Sequence, residues 1–455
     1  MKRISSALAF LLFALALSVR SADAQETPKR LTLKDAIDLA LKQNVNVQVS
    51  ETQVDEAEGT RTRRLATLLP HASADALANL LKNNLRIEGI SFPGIPATVG
   101  PFAYYDFRVF ASQPVIDRQA LHNWRASANE EEAAKLSYQD TRDFVVREAA
   151  GFYLQSETAA AEVEAAQSRV DTSRILEKLA ADQHDQGLAT AIDMVRSQVQ
   201  LARDQQTLLV AQNNYQTSLL ALARFLGLKP GTPLELAEKL EFRHIEAPDI
   251  EQALPAALNA RDDYRSLMSQ QQSLIEQEKA SHSRYLPALA VNGNYGAAGR
   301  NLGSMPSSGG IEGVLSVTIF DRDRTGEKQE LESRARRLKA QTDDLARSIE
   351  QDLRTAVLDI HSTEQQVSVT QAGFDLARRE LDLAEDRFRN GVTDNIEVVT
   401  AQDALSSAQD DRIAAIAQNA DARAALARAL GATEKNYQKY LGLADAGSGA
   451  GDNKR

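Results

Sequence analysis

The chain has no cysteine, few prolines and no long apolar run after its N-terminal segment. Among its 455 residues there is no Cys, so no disulfide can form and no lipid can be attached through a cysteine. All twelve prolines lie outside residues 115–229 and 307–455. Because proline is the commonest helix breaker, these two intervals can hold very long helices. No apolar stretch after residue 24 approaches the roughly 18 residues of a transmembrane helix, so only β-strands could cross a membrane.

Residues 1–24 have the features of a cleaved secretory signal peptide. Lys2 and Arg3 come first, an apolar run covers Ala7–Leu17, and a small-x-small cleavage pattern lies at 22–24. The alternative, an N-terminal membrane anchor, is disfavoured because this run is too short to span a bilayer. Cleavage removes three positive charges and one negative charge, so the formal net charge changes from −11 to −13. An acidic chain without a basic cluster is a poor candidate for binding nucleic acid.

No arrangement of residues in the chain resembles a catalytic centre. The six histidines form no paired ligand spacing. There is also no Walker A loop, no His-Glu-x-x-His helix and no nucleophile elbow. We therefore expect no enzyme activity, no cofactor and no metal site.

The chain contains a duplicated unit. Three pairs of identical residues are each 204 positions apart: Asp117 and Asp321, Gly187 and Gly391, Gly227 and Gly431. A spacing held over such a distance indicates a repeated structural unit. The preceding segments match at an offset of 217, as Pro70 and Pro287 show. The first copy therefore carries 13 extra residues, which we expect in a loop at Leu85–Phe102 because an insertion inside a strand would break its register.

Each copy is predicted to form an antiparallel helical hairpin. A continuous helix from Asp117 to Gly187 would be roughly 105 Å long. Gly187 and Gly391 permit a tight reversal, and the residues at 188–190 and 392–394 supply capping groups for the returning helices. Near the N-terminus, Thr32-Leu33-Lys34-Asp35 resembles a capping box.

The second copy carries a heptad pattern with two seams. One seam combines large apolar residues with small ones three positions later: Ile360, Val367, Phe374, Leu381 and Phe388, with Thr363, Thr370, Ala377 and Ala384. A second apolar row lies on another face: Val369, Leu376 and Leu383. A helix with two seams has two neighbours, which favours a ring of helices. An ordinary long bundle remains an alternative.

Strand patterns are short and occur at 71–81, 105–111, 289–297 and 315–319. Segments of about ten residues, apolar on one face and polar on the other, are typical of membrane β-barrels. A soluble two-stranded ribbon has the same periodicity and remains an alternative. Four strands cannot close a barrel with a usable pore, so several chains would have to contribute.

From about Leu31 to Leu443 the chain resembles the TolC family of outer-membrane efflux ducts. The motifs that carry the resemblance are an opening segment, a strand-to-helix junction and two hairpin tips: Leu31–Ala36, Gln113–Asp117 echoed by Thr318–Asp321, Gln186–Leu188 and Arg387–Gly391. The resemblance implies a mainly α fold with a small β part. Duplicated helical hairpins would form a trimeric periplasmic α-barrel, and four strands per chain a 12-stranded outer-membrane β-barrel.

The resemblance also implies a domain organisation and a set of partners. Residues 1–24 would be the signal peptide, 25–240 the first repeat, 241–443 the second repeat and 444–455 a disordered tail. The chain would form a homotrimer in outer-membrane lipid, with a long periplasmic extension. It would meet a periplasmic adaptor and an inner-membrane pump, and no nucleic acid.

The family's functional positions lie at the hairpin tips. The resemblance places the aperture at Asp193, Phe388, Thr393, Glu397 and Thr400. In the family, Phe388 is a tyrosine, Thr393 an arginine and Thr400 an aspartate, so the closing contacts must differ here. Adaptor contacts would lie at Gly187, Leu188, Gly391 and Val392. The plainer alternative for Asp193 and Glu397 is a solvated acid in the first turn of a helix.

The function implied is a passive outer-membrane duct of a tripartite system that exports small molecules and drugs. Two alternatives stay open. The same duct could serve a type I protein secretion system, or the chain could be a periplasmic coiled-coil scaffold without a pore.

Overall fold

The computed structural model describes residues 29–441 except 88, 90–92, 95, 188, 394 and 432. The predicted signal peptide (1–24) and tail (444–455) lie outside the described residues, as does Leu188. The proposed boundary between the two repeats, at 240 and 241, stays a prediction.

Apart from two three-residue strands in the first copy and the last helix of the second, the helices and strands occur in the same order in the two copies. The helices are α1 Leu33–Gln43, α2 Val45–Ala66, α3 Arg118–Asp185, α4 Ala191–Phe225, α5 Ile250–Ala260, α6 Asp262–Ser283, α7 Asp323–Arg389, α8 Asn395–Ala429 and α9 Thr433–Leu441. The strands are β1 Lys29–Leu31, β2 His71–Asn84, β3 Thr98–Ile116, β4 Leu234–Leu236, β5 Ala288–Gly299 and β6 Ser307–Ser316.

Two very long helices dominate the molecule. Helix α3 has 68 residues and α7 has 67, which corresponds to roughly 100 Å each at 1.5 Å per residue. Asp117 caps α3, because its Oδ1 accepts the amide of Ala120 at 2.8 Å. The predicted capping box at Thr32 and Asp35 is also present. The prediction of long helical hairpins is confirmed.

The four longer strands form one antiparallel sheet in the order β2-β3-β5-β6, and β1 pairs with β4 in parallel. The outer strands β2 and β6 each have one partner among the described residues. The strand predicted at 315–319 is wrong for most of its length, because β6 ends at Ser316. Within the single chain, β6 is a strand only where it pairs with β5, from Ser307 to Ser316.

The two strand hairpins of the sheet have the same register. His71 pairs with Ser112, and the equivalent pair in the second copy is Ala288 with Ser316. Leu80 likewise pairs with Ala103 as Ala297 pairs with Ser307. The 13 extra residues therefore lie between Leu80 and Ala103. The prediction that they form only a loop is wrong, because part of them lengthens β2 and β3 at the hairpin end. The added pairs follow a register shift between Leu81 and Asn83, and the pairing from His71 to Leu80 is unaffected.

Small apolar cores hold the helices together, two of them about midway along α3 and α7 and one near the hairpin turns. The largest cluster joins α1, α3 and α4 and includes Ile37, Val145, Tyr153 and Leu222, all fully buried. The Tyr153 hydroxyl donates to the Leu31 carbonyl at 3.0 Å, which also satisfies the polar end of this core.

The two seams of α7 differ in the single chain. In the first seam, Ile360, Val367, Leu381 and Phe388 are buried. The second row is open to solvent, with Val369 71%, Leu376 64% and Leu383 65% exposed. One seam is thus used within the chain and the other is left uncovered.

None of the helices in the described part of the chain is long and apolar enough to span a membrane.

Candidate functional site at the hairpin tips

Both hairpins reverse direction at a glycine in the left-handed region. Gly187 has φ +74° and Gly391 has φ +68°, a conformation that costs a residue with a side chain about 1–2 kcal/mol. The amide of Val392 then reaches back to the Arg387 carbonyl at 2.9 Å, which satisfies one free carbonyl at the end of α7. No described atom lies within 4 Å of a Cβ built on either glycine. Both tips are therefore open to approach by another molecule.

At the first tip, Asp193 is a buried capping residue. Its Oδ2 accepts the Thr190 amide at 3.1 Å and the Thr190 hydroxyl at 2.5 Å. Its Oδ1 lies 3.4 Å from Nη1 of Arg196. Only 7% of Asp193 is exposed. Asp193 lies in the first turn of α4 as anticipated, but the alternative that it is a solvated acid is wrong, because Thr190 and Arg196 contact the carboxylate and only 10% of its side chain is exposed.

At the second tip, Glu397 is held by two neighbours. Nε of Arg387 lies 3.1 Å from its Oε1, and the Thr393 hydroxyl donates to its Oε2. The Glu397 side chain remains 42% exposed. Thr400 is also exposed, but its hydroxyl donates to the Ile396 carbonyl of its own helix at 2.8 Å. Of the two acids among the predicted aperture residues, Glu397 is therefore the one that stays accessible to solvent, and it is paired with the guanidinium group of Arg387.

Arg387 was not among the predicted site residues. It belongs to the segment Arg387–Gly391 that marks the tip in the sequence. The contact with Glu397 depends on how the two helices turn toward each other, and the sequence pattern carries no signal for that orientation. A neighbouring acid, Glu385, accepts from Arg389 at 3.2 Å, and burial raises its pKa.

Phe388 lies in the core between the hairpins. It is 3% exposed and belongs to an apolar cluster contributed by α3, α7 and α8. Its neighbours there are Leu176, Ala180, Leu381, Ala384, Val398 and Ala401. The predicted aperture residue is therefore a packing residue in the single chain.

Two buried amides tie the hairpin tips to each other. Nε2 of Gln183 donates to the Phe388 carbonyl at 3.2 Å. Nδ2 of Asn395 donates to the Asp193 carbonyl at 2.9 Å, and Asn395 is only 1% exposed. Neither residue was predicted from the sequence, because an amide side chain at a helix end is common and nothing local shows which carbonyl it reaches.

A buried polar layer connects the hairpins farther from the tips. Ser173 contributes a hydroxyl that donates to Asp204 and accepts from Gln402. Nε2 of Gln402 also lies 3.3 Å from Oδ2 of Asp204, and Nε2 of Gln200 donates to Oδ1 of Asp403 at 3.2 Å. Polar groups buried in this way specify one alignment of helices, because a shift would leave them unsatisfied. The tips themselves are joined by one apolar cluster and by single hydrogen bonds from Gln183 and Asn395.

Comparison with known proteins gives the family of the chain. A family model described as outer membrane efflux protein matches residues 36–228 and 253–432. The pyoverdine export outer membrane protein OpmQ of Pseudomonas aeruginosa is 22% identical over 433 residues, covering 91% of this chain and 88% of that protein. The probable efflux pump outer membrane protein TtgC of Pseudomonas putida is 24% identical over 401 residues, covering 83% and 78%.

Solved structures show the same fold. The outer-membrane channel OprN superposes with a TM-score of 0.77 at 18% identity, covering 88% of this chain and 89% of that one. The CmeC outer membrane channel of Campylobacter jejuni superposes with a TM-score of 0.78 at 15% identity, covering 90% and 89%. The predictions of a mainly helical fold with a small β part and of an outer-membrane location are confirmed. The chain belongs to the outer membrane efflux protein family and is an outer-membrane exit duct of an efflux system.

Proposed function

We propose that three copies of this chain assemble side by side into one passive duct, which exports small molecules with an adaptor and an inner-membrane pump as partners. The observation that supports the proposal is that each chain leaves two kinds of surface uncovered. Among the described residues, the outer strands β2 and β6 of the sheet each pair with one strand only, and α7 leaves a whole apolar row exposed. An exposed strand edge and an exposed apolar row both favour pairing with another chain.

The duplication supports a neighbouring copy as the cover for the row on α7. The residues equivalent to Val369 and Leu383 in the first copy are Ala165 and Leu179, by the offset of 204. Ala165 is buried, and Leu179 packs against the cluster that contains Val398 of α8. In the first copy, α8 lies beside α3. The equivalent contact of α7 would be made by the counterpart of α8, which is α4, and this α4 would belong to the next chain.

Helix α4 offers a matching surface. Its exposed side chains include Ile192, Val195 and Val199, which follow a helical period along one face. Repeating the α3–α8 contact between chains would place α4 of one copy beside the row on α7 of the next. A contact of this kind joins the second copy of one chain to the first copy of the next, and such head-to-tail contacts form a closed ring when the rotation between chains divides a full turn evenly.

We propose Glu397 as the charged group of the aperture, with Arg387 as its counter-charge. Thr393 holds the carboxylate in place through its hydroxyl. Asp193 would act on the aperture through the bond that its carbonyl accepts from Asn395, and Phe388 through the core that it shares with Val398 of α8. Thr400 offers an exposed side chain. Three copies of Glu397 around a narrow opening would attract cations unless Arg387 offsets them.

The adaptor would contact the tips at Gly187, Leu188, Gly391 and Val392. Support comes from the open space around both glycines and from the strong exposure of Val392. The cargo class is supported by the relatives, which are named for pyoverdine export and for antibiotic efflux. We therefore favour small molecules over polypeptides.

Two measurements test the proposal: the mass of the purified protein in detergent and its conductance in a planar bilayer. The purified chain in detergent is expected to have the light-scattering mass of three copies and to give stable single-channel currents in a planar bilayer. Leu376→Glu should lower the trimer fraction, because it places charge in the uncovered row. Ile175→Glu is the matched control: Ile175 is equally exposed, but it lies on α3, between α4 and α8 of the same chain. A monomer that stays in solution without detergent and carries no current would refute the proposal.

A further inference from the structure

A buried arginine of α8 has open hydrogen-bond donors. Arg423 is only 3% exposed, and neither Nε nor Nη1 of its guanidinium group has a hydrogen-bond partner among the described residues. Its counterpart in the first copy, by the offset of 204, is Leu219, a member of the largest apolar cluster. Packing at this position is therefore compatible with an apolar side chain and does not explain the charge. A buried ion without a partner is unfavourable, so the donors of Arg423 need an acceptor.

Two other arginines differ from Arg423 in one respect. Arg169 and Arg412 also have a buried Nε without a partner among the described residues. Arg169, however, pairs with Asp410, and the guanidinium group of Arg412 lies 4.4 Å from the centre of the Phe374 ring. Both charges are thus compensated, the second by the electrons of an aromatic ring. The charge of Arg423 has neither form of compensation within the described part of the chain.

The segment that joins the two repeats passes close to Arg423. We call residues 237–249, between β4 and α5, the strap. Its side chains make polar contacts with α3 at 3.1 Å and with α7 at 2.8 Å. Ile245 of the strap packs against the apolar cluster that contains Ala422, the residue before Arg423. Helix α3, helix α8 and the strap therefore meet in this region.

The strap adds a second positive charge beside Arg423. Burial, and then the nearby Arg243 of the strap, lowers the pKa of Arg423 to about 10, while Glu157 of α3 opposes the shift. Glu157 is also buried, and it accepts from neither Nε nor Nη1 of Arg423. Burial, and then Glu238, raises the pKa of Glu157 to about 7. Near neutral pH this acid therefore compensates the two guanidinium groups only in part.

We propose that Arg423, Arg243 and the protonated form of Glu157 together bind one small inorganic anion, of the size of chloride. Arg423 would donate hydrogen bonds to the anion, and Arg243 would supply the second positive charge. The protonated carboxyl of Glu157 can donate to an anion, whereas the ionised carboxylate would repel it. The bound ion would connect α3 of the first repeat, α8 of the second repeat and the strap between them.

This site predicts a pH dependence of anion binding. The charged groups that act on Glu157 are Glu238, Arg243, Arg423 and Glu241. Because the ionised form of Glu157 opposes binding, the anion should bind up to about tenfold more tightly at pH 6 than at pH 8. Glu157→Gln carries no titrating group here, so its affinity for the anion should be about the same at the two pH values.

Chloride-dependent stability tests the site. The unfolding temperature of the purified protein in detergent would be measured at pH 6 while sodium chloride replaces sodium gluconate at constant ionic strength. The parent should show a saturable increase, because an ion that binds only the folded state stabilises it. Arg423→Leu, which introduces the residue of the first copy, should abolish the increase. Arg412→Leu is the matched control: its counterpart is also a leucine, Leu208, and it should keep the parental chloride dependence.

A second variant keeps the test decisive if Arg423→Leu does not fold. Arg243 is exposed on the strap, so Arg243→Gln should leave the fold intact. It should raise the chloride concentration for half of the effect by about tenfold, because it removes one positive charge from the site. Lys239→Gln is its control. Lys239 is another exposed cation of the strap, but it pairs with Glu164 at 3.1 Å, and the variant should respond to chloride as the parent does.

Three results would overturn the inference: a parent without a saturable chloride response at pH 6, a response that persists in Arg423→Leu, and equal responses of Arg243→Gln and the parent. A direct measurement uses crystals grown in sodium bromide, which should show an anomalous peak beside the guanidinium group of Arg423. A direct ion pair of Arg423 with Glu157 and no peak there would also overturn it. None of these results depends on the mass of three copies, so the proposed function stands or fails separately.

Discussion

Arg387 and Glu397 face each other across the second hairpin turn, with Nε of the arginine 3.1 Å from Oε1 of the glutamate. In the TolC family, which the chain resembles, an arginine lies two residues after the tip glycine, where this chain has Thr393. In this chain the positive charge beside Glu397 comes from Arg387, in the last turn of α7. The helix dipole also favours a positive charge at this C-terminal end. The charge of the proposed aperture acid is offset within one chain.

This ion pair predicts opposite effects of two substitutions on ion selectivity. Arg387→Gln leaves the Glu397 carboxylates uncompensated, so the channel should become more selective for cations. Glu397→Gln should make it less selective for cations. The measurement is the reversal potential of reconstituted channels in a salt gradient.

The control for this pair is Arg389→Gln. Arg389 is about as exposed as Arg387, but it pairs with Glu385 at 3.2 Å on the same helix. We expect a parental reversal potential for this variant. Parental values for all three variants would place Glu397 away from the conducting path.

A second prediction concerns the amide of Asn395. Asn395→Ala removes the bond from the Asn395 amide to the Asp193 carbonyl, which keeps the Ser197 hydroxyl as a donor at 3.0 Å, so the loss of this one hydrogen bond costs about 0.5–1.5 kcal/mol. The second hairpin should then separate from the first more readily, so the channel should spend more time in high-conductance states. Single-channel recordings and thermal unfolding measure the two effects.

Asn390→Ala is the matched control for Asn395→Ala. Its Nδ2 donates to the Asp386 carbonyl at 2.7 Å, within an exposed helix end rather than between hairpins. Equal changes in gating for the two variants would show that the contact between hairpins is not the cause.

A third prediction separates backbone conformation from close packing. Gly187 and Gly227 both have φ +74°, so alanine should cost each about 1–2 kcal/mol. A Cβ on Gly227 would also lie 2.8 Å from the Gln43 carbonyl oxygen, whereas one on Gly187 meets nothing within 4 Å. We expect Gly227→Ala to lower the unfolding temperature clearly more than Gly187→Ala. Similar losses would mean that α1 moves aside at little cost.

A fourth prediction concerns the pH dependence of stability. Burial, and then the nearby Glu238, raises the pKa of Glu157 from 4.5 to about 7, while Arg243 and Arg423 oppose the shift. The folded state therefore binds the proton more tightly than the unfolded state. This contribution to stability is complete below about pH 4.5 and is lost as the pH rises through about 7.

The corresponding variant is Glu157→Gln, which carries no titrating carboxyl. Above pH 7 its free energy of unfolding should exceed that of the parent by up to about 3 kcal/mol. Its unfolding temperature should be higher accordingly. It should also show a flatter dependence on pH. Glu164→Gln, an exposed residue near Lys239, is the control. A parental pH profile for Glu157→Gln would contradict the raised pKa.

Much of the architecture was predictable because it depends on local or periodic properties. Helices α3 and α7 follow from long proline-free intervals, and the turns at Gly187 and Gly391 follow from the conformational freedom of glycine. Three of the four strands lie where alternation predicted them. The fourth, β6, was misplaced because its glycine-rich first half hides the alternation, while residues 317–320 have the pattern but pair with no strand in the described part of the chain.

The candidate site was predictable only in part. The sequence by itself determined that the chain is duplicated, that each copy reverses at a glycine and which residues lie near each tip, since these properties depend on spacing along the chain. Only the tertiary structure decided that Asp193 is enclosed, that Arg387 accompanies Glu397, and that Gln183 and Asn395 join the hairpins. The bonds of Gln183 and Asn395 connect residues about 200 positions apart, and their existence depends on how two separate helices approach each other. No periodic pattern within either helix specifies that approach.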